Sequence, residues 1–154
     1  MNIPEAPLLF DDIVVGTVMT SPRPYEITVE ELKEVAQRWD PMPFHVDEAA
    51  GEASHFGGLV ASGLHPIAAS IRLGTEEVPR TAAIAGLGID ELRFLQPVRP
   101  GDRLSQTTEI IDARASRTRP DAGIVRGRRT LRNQNGVTVM AYVVTWMVER
   151  AVGR

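Results

Sequence analysis

From Val137 to Val148 the chain reads Val-Thr-Val-Met-Ala-Tyr-Val-Val-Thr-Trp-Met-Val, twelve residues without a charge. A β-prone run that is apolar on both faces needs cover on both sides, so it belongs in the interior of a sheet. Three more strand-like runs precede it, at Ala82 to Pro97, Arg103 to Thr118 and Ile124 to Arg132. The breaks between runs include Pro100-Gly101-Asp102 and Asn133-Gln134-Asn135-Gly136. Asn-Gly between two alternating runs is a strong hairpin signal, because both residues tolerate the positive φ of a tight turn. Long consecutive strands joined by short turns give an antiparallel meander, and a meander of this length curls around whatever apolar element it has to cover.

The first half supplies that element. Thr28 and Glu31 have the spacing of a capping box and open a helix through about Arg38. Its apolar positions Val29, Leu32, Val35, Ala36 and Trp39 fall on one face, and Asp40-Pro41 stops it, since a residue before proline disfavours helical dihedrals. Glu48 to Ala53 makes a short helical turn. A second long helix begins between Ser62 and Pro66 and runs to about Gly74, with Leu64, Ile67, Ala68 and Ile71 at helical spacing. Small residues and sparse charge suit a helix wrapped by other structure. Helices first and strands afterwards make an α+β domain, one helix against a curved antiparallel sheet. With 154 residues and no repeat or linker, residues 1–154 are read as a single domain.

Composition narrows the function classes. There is no cysteine, which excludes disulfides, thiolate metal sites and cysteine nucleophiles. The N-terminus lacks the features of a signal peptide, and no apolar run approaches the roughly 20 residues of a membrane span, so the reading is cytoplasmic with no membrane partner. Residues 1–89 hold 13 acids against 5 bases, and residues 90–154 hold 7 acids against 12 arginines. A planar guanidinium suits phosphate, although a solvated sheet face explains the arginines as well. With a net charge of −3 and no interleaved basic and aromatic stripe, nucleic acid is not an expected partner.

The chemistry concentrates in Asp40-Pro41-Met42-Pro43-Phe44-His45-Val46-Asp47 and in Phe56-Gly57-Gly58-Leu59-Val60-Ala61-Ser62-Gly63. The first holds a carboxylate and an imidazole five residues apart in a proline-stiffened turn. The second enters a helix whose free N–H groups can receive developing negative charge. Asp47 suits the cap of the Glu48–Ala53 turn better than catalysis. His65, at the start of the long helix, either lines the pocket or packs in the core, and His55 is structural or exposed. The three histidines sit ten residues apart in different settings, which does not suit a zinc site. Phe56 and Gly58 either shape a pocket or serve a tight turn.

These residues resemble the MaoC-like dehydratase family, which includes the (R)-specific enoyl-CoA hydratases and has the hotdog fold. Asp40, Pro43, His45 and Asp47 stand at the places of that family's Asp, Asn-Pro, His and Asp pattern, and Gly63 at its oxyanion glycine. Arg93-Phe94-Leu95-Gln96-Pro97-Val98 and Pro100-Gly101-Asp102 resemble the strand and turn that follow its central helix. Met42 stands where hydratases usually carry Asn, and Ala61-Ser62-Gly63 where many have His before Gly. The resemblance implies a hydratase or dehydratase acting on an acyl-CoA. Asp40 and His45 would hold a water and the Gly63 N–H would receive the thioester oxygen. Ser62, Phe56, Gly58 and His65 are the further candidates around the substrate, with Ser62 either near the thioester or capping the helix. No cofactor or metal is implied, the CoA thioester being substrate. The family resemblance also implies a homodimer or higher oligomer whose tunnel is completed by a neighbouring subunit, with Arg93, Arg126 or Arg128 as candidates for the CoA phosphates.

Two other readings compete. Many hotdog thioesterases use a carboxylate on the central helix, and no Asp or Glu lies between Gly63 and Gly74. A non-catalytic acyl-thioester binding module would keep ligand affinity without turnover.

Overall fold

The computed structural model describes residues 6–151, beginning with a 3-10 turn at Phe10–Asp12 and two short strands, β1 (Val18–Thr20) and β2 (Tyr25–Glu26). Three helices follow, α1 (Val29–Trp39), α2 (Pro43–Val46) and α3 (Glu48–Ala53), and then the long helix α4 (Leu64–Gly74). The remainder is β3 (Ala83–Phe94), β4 (Arg103–Ala115), β5 (Ala122–Arg132) and β6 (Thr138–Glu149). The long elements match the sequence expectation to within a few residues. The short strands and α2 carry no periodic signal of their own and were not expected.

All strand pairings are antiparallel, in the order β1-β4-β5-β6-β3, with β2 adding to β4. The doubly apolar strand β6 lies between β5 and β3, as its composition requires. Asn133 closes the β5–β6 hairpin by accepting the Asn135 and Val137 N–H groups at 3.0 and 3.2 Å, and Gly136 takes φ +74°. The sheet packs against α4 and α1. Leu32, Ala69, Leu73, Leu104, Leu131, Met140 and Tyr142 form the main core, and Met19, Ile110, Val125, Trp146 and Val148 a second cluster. This is the hotdog arrangement, a long antiparallel sheet around a central helix.

The wrapping is one-sided in a single chain. α4 buries His65, Ala69, Ser70 and Leu73 but leaves Leu64, Ala68 and Ile71 exposed along its outer stripe. Trp39 was expected on the buried face of α1 and is instead exposed, with the Arg38 guanidinium 4.9 Å from its ring centre. It stands at the last helical residue, beyond the reach of the sheet. Among the described residues no helix is long and apolar enough to cross a membrane.

Candidate active site

The end of α1 sets the first functional group. Thr28 caps the helix by accepting the Glu31 N–H at 3.2 Å, and Asp40 closes it with its own N–H on the Ala36 carbonyl at 2.8 Å. Pro41 prevents another turn, and Met42 N–H returns to the Asp40 carbonyl at 2.8 Å. Pro43 then starts the single turn α2 at a position where its missing N–H costs nothing, and that turn carries His45 inward. Asp47 caps α3 by accepting the Ala50 N–H at 2.8 Å.

His45 is buried and held on two sides. Its Nδ1 lies 2.7 Å from the Val60 carbonyl, and its ring meets Phe44 edge-on with centroids 4.5 Å apart. A carbonyl only accepts, so Nδ1 carries the hydrogen and the neutral ring presents a lone pair at Nε2. Nε2 faces Asp40 Oδ2 at 3.4 Å. The same Oδ2 accepts the Ser62 hydroxyl at 2.7 Å. Gly63 follows at the mouth of α4, and its N–H donates to no protein group among the described residues. A Cβ at this position would stand 2.6 Å from the Phe94 ring, so the close approach needs glycine.

A cavity of about 340 Å³ opens here, walled by His45, Gly63, Phe44, Phe56, Phe94 and Leu95 together with Val60, Ala61, Pro66, Gln96, Pro97, Val98 and Val139. An apolar chamber lined by a base and by a glycine with an unbonded N–H suits a small ligand with one polar reacting group. Of the seven residues singled out from the sequence, Asp40, His45 and Ser62 form one cluster, with Ser62 bonded to Asp40 and His45 facing it, and Gly63 and Phe56 join His45 at the cavity. Gly58 stands outside its walls, against the Arg99 side chain, and His65 stands outside them too. The Val60 carbonyl, Phe94 and Leu95 were not singled out. A backbone carbonyl has no sequence signal, while Phe94 and Leu95 stood only within the run matched to a strand.

His65 is 2% exposed and neither ring nitrogen makes a hydrogen bond. Its Nε2 lies 3.4 Å from Glu31, whose other carboxylate oxygen accepts the Tyr25 hydroxyl at 2.6 Å. Burial pushes the His65 pKa down, against the opposing pull of Glu31, while burial and Glu31 push Tyr25 up to about 12. A histidine depressed in the folded state resists a proton that the unfolded chain accepts. Its contribution to stability is therefore full above the unfolded value of about 6.5 and is lost as pH falls through the lowered folded value. Replacing His65 by Leu should flatten the dependence of the urea midpoint on pH below about 6.5. An unchanged slope would assign that dependence to other groups.

The arginines divide. Along β5, Arg126 and Arg128 alternate with Arg129 and Leu131; Arg129 meets Gly74 of α4 and Leu131 joins Leu73 in the core. Arg126 and Arg128 therefore point from the face opposite α4, away from the cavity. Arg93 is exposed on β3 and donates to the neighbouring Leu92 carbonyl. Arg99 stands nearer, one bond behind the cavity wall, its Nη2 donating to the carbonyl of the lining residue Phe56 at 2.6 Å. Among the described residues no group of three His, Cys, Asp or Glu side chains could hold a metal ion.

Comparison with known proteins identifies the family. A crystal structure of a MaoC-like dehydratase from Rhodospirillum rubrum superposes with a TM-score of 0.86 at 37% identity, covering 94% of this chain and 99% of that one. Uncharacterized protein YdeM of Bacillus subtilis is 28% identical over 141 residues, 91% of this chain and 98% of YdeM. The mesaconyl-CoA hydratase of Haloarcula marismortui is 38% identical over 65 residues, which are 42% of this chain but only 18% of the hydratase. The family model of the MaoC like domain matches residues 12–130, which include Asp40, His45, Ser62 and Gly63. The chain belongs to the MaoC-like dehydratase family.

Proposed function

We propose that the protein is an acyl-thioester hydratase or dehydratase, reversibly adding water to a trans-2-enoyl-CoA to give an (R)-3-hydroxyacyl-CoA. The observation that carries this reading is the lone pair of His45 Nε2 facing Asp40 Oδ2 at 3.4 Å, beside a cavity lined by Gly63, whose N–H no described protein group accepts. A water beside them can donate one hydrogen to each, through hydrogen bonds bent by so short a separation. Both of its O–H bonds are then polarised, and its oxygen lone pairs are free for the β-carbon. In the forward direction the hydroxyl bonds to Cβ and the C=C electrons move toward the thioester carbonyl. His45 Nε2 takes the released proton, and the same proton is then delivered to Cα. Histidine suits this transfer because its ordinary pKa, about 6.5, lies near working pH. The enolate-like charge on the thioester oxygen falls to the Gly63 N–H at the start of α4, where a preorganised donor is worth about 3–4 kcal/mol. The mesaconyl-CoA hydratase similarity supports a CoA thioester as substrate.

The reading includes a second copy of the chain. β3 ends the sheet with an unpaired edge, and its Ile84, Leu87 and Ile89 are exposed, as are Leu64 and Ile71 of α4. An apolar edge strand beside an apolar helix stripe is a surface that soluble proteins cover. Phe94 and Leu95 are themselves exposed at the cavity wall, so a copy seated along β3 also closes the substrate chamber. Sedimentation at micromolar concentration should give at least a dimer, and Leu87→Lys should shift it toward monomer; an active wild-type monomer would contradict the shared chamber.

The test is to mix the protein with crotonyl-CoA and longer or branched enoyl-CoAs and follow loss of the conjugated-thioester absorbance. Formation of (R)-3-hydroxyacyl-CoA without free CoA is the expected result. Release of free CoA would mean a thioesterase, and binding without turnover a binding module.

A further inference from the structure

Ser62 stood out from the sequence as a hydroxyl close to the thioester or as a helix cap, and its surroundings favour neither role alone. It is 1% exposed and absent from the cavity wall. Its oxygen accepts the Leu64 N–H at 3.3 Å, a turn bond two residues along at the entry to α4 rather than an N-cap bond, and its single proton goes to Asp40 Oδ2 at 2.7 Å. A hydroxyl has one proton and two lone pairs, so accepting that N–H leaves the proton for another acceptor. The accepted N–H also limits rotation of the hydroxyl, and only one carboxylate oxygen is within its reach.

We infer that Ser62 is a positioning residue for Asp40, and that the segment Val60–Gly63 sets base, carboxylate and oxyanion donor as one unit. Three members of that segment act in turn. The Val60 carbonyl fixes the His45 ring and its tautomer, the Ser62 hydroxyl fixes Asp40 Oδ2, and Gly63 lines the cavity with an N–H that no described protein group accepts. Without Ser62 the carboxylate, which is partly exposed at the C-terminus of α1, is free to rotate about its side-chain bonds toward solvent. It then leaves the position facing Nε2, and water is no longer held by both groups. Because Val60, Ser62 and Gly63 are within four residues of one chain segment, a shift of the α4 entry moves all three together and keeps their mutual geometry. The inference rests on the hydratase reading for its kinetic consequence but not for its structural one.

The experiment compares wild type, Ser62→Ala and Ser62→Thr in two readouts. In enoyl-CoA hydration, Ser62→Ala should lower kcat about 10- to 100-fold with KM changed less than about twofold, since a small misplacement of a reacting group acts on the bound state. Ser62→Thr keeps the hydroxyl and should recover most of kcat. In ¹³C NMR of the folded protein at neutral pH, the Asp40 side-chain carboxyl resonance, assigned with Asp40→Asn, should move in Ser62→Ala and return in Ser62→Thr. A raised KM at unchanged kcat would overturn the inference in favour of direct thioester contact. An unmoved Asp40 resonance would overturn it whatever the kinetics. Should wild type hydrate none of the enoyl-CoAs, the hydratase reading fails while the resonance still decides the role of Ser62.

Discussion

Hydration of enoyl-CoA should fall by about 10²- to 10⁴-fold in His45→Gln, and by a similar factor in Asp40→Asn, with each variant folded as wild type. Glutamine can still donate to the Val60 carbonyl and fill much of the imidazole volume, but it has no basic nitrogen at the place of Nε2. The bound water then loses its proton acceptor while the apolar cavity is unchanged, so kcat falls and KM moves little. Asparagine at 40 keeps the Ser62 hydrogen bond through its amide oxygen, yet it replaces a charge that faces Nε2 with a neutral dipole. In the proposed mechanism the two groups hold one water, so the double variant should cost little more than either single one. Retention of more than a tenth of the wild-type kcat in either single variant would remove that residue from the proton path. Equal loss of binding and turnover would instead indicate a damaged cavity.

The sequence carried most of the fold and part of this site, and the division follows where the information resides. Strands β3 to β6 were legible because long alternating or doubly apolar runs between Gly- and Asn-rich turns admit few alternatives. The register breaks in β3 and at Ile110/Asp112 of β4 depend on packing across the sheet and left no local trace. Asp40 and His45 were legible because Pro41 and Pro43 restrict the chain between them. That Ser62 bonds to Asp40 rather than to a ligand depends on the phase of the entry into α4. The same phase turns Leu64 outward and His65 inward, though the two are neighbours in sequence. The arginines show the limit of composition, since β-strand alternation places Arg126 and Arg128 on the face away from the helix. Arg99, behind the cavity wall, was one of twelve in its half of the chain.

The largest loss of stability should come from a group remote from the hydratase chemistry. Replacing Glu77 by Ala should destabilise the fold by about 3–5 kcal/mol, because it breaks one side of a buried charge pair. Glu77 is 2% exposed and burial pushes its carboxyl pKa up, against the opposing effects of Thr108, Arg129 and Gln106. One carboxylate oxygen accepts from Gln106 at 2.8 Å and from the Thr108 hydroxyl, and the other faces the Arg129 guanidinium at 3.9 Å. Arg129 continues to Thr108 at 3.3 Å and to the Tyr142 hydroxyl at 3.2 Å, and Ser70 of α4 links Tyr142 back to Gln106. The circuit joins α4 to β4, β5 and β6, and Gly74 lies against it, where a Cβ would stand 2.5 Å from the end of the Arg129 side chain. Removing the carboxylate leaves a guanidinium and an amide N–H without their acceptor, in the wall of a second cavity of about 960 Å³ that Glu77, Arg129 and Tyr142 line. Two companion variants separate the pair from its setting. Arg129→Met alone should also destabilise, since it strands the carboxylate, whereas Glu77→Ala with Arg129→Met should recover part of the sum because neither charge is then left buried alone. Guanidinium unfolding of the four proteins measures the coupling directly. Strict additivity of the two single losses would mean that the 3.9 Å separation carries no interaction, and that Glu77 serves only Gln106 and Thr108.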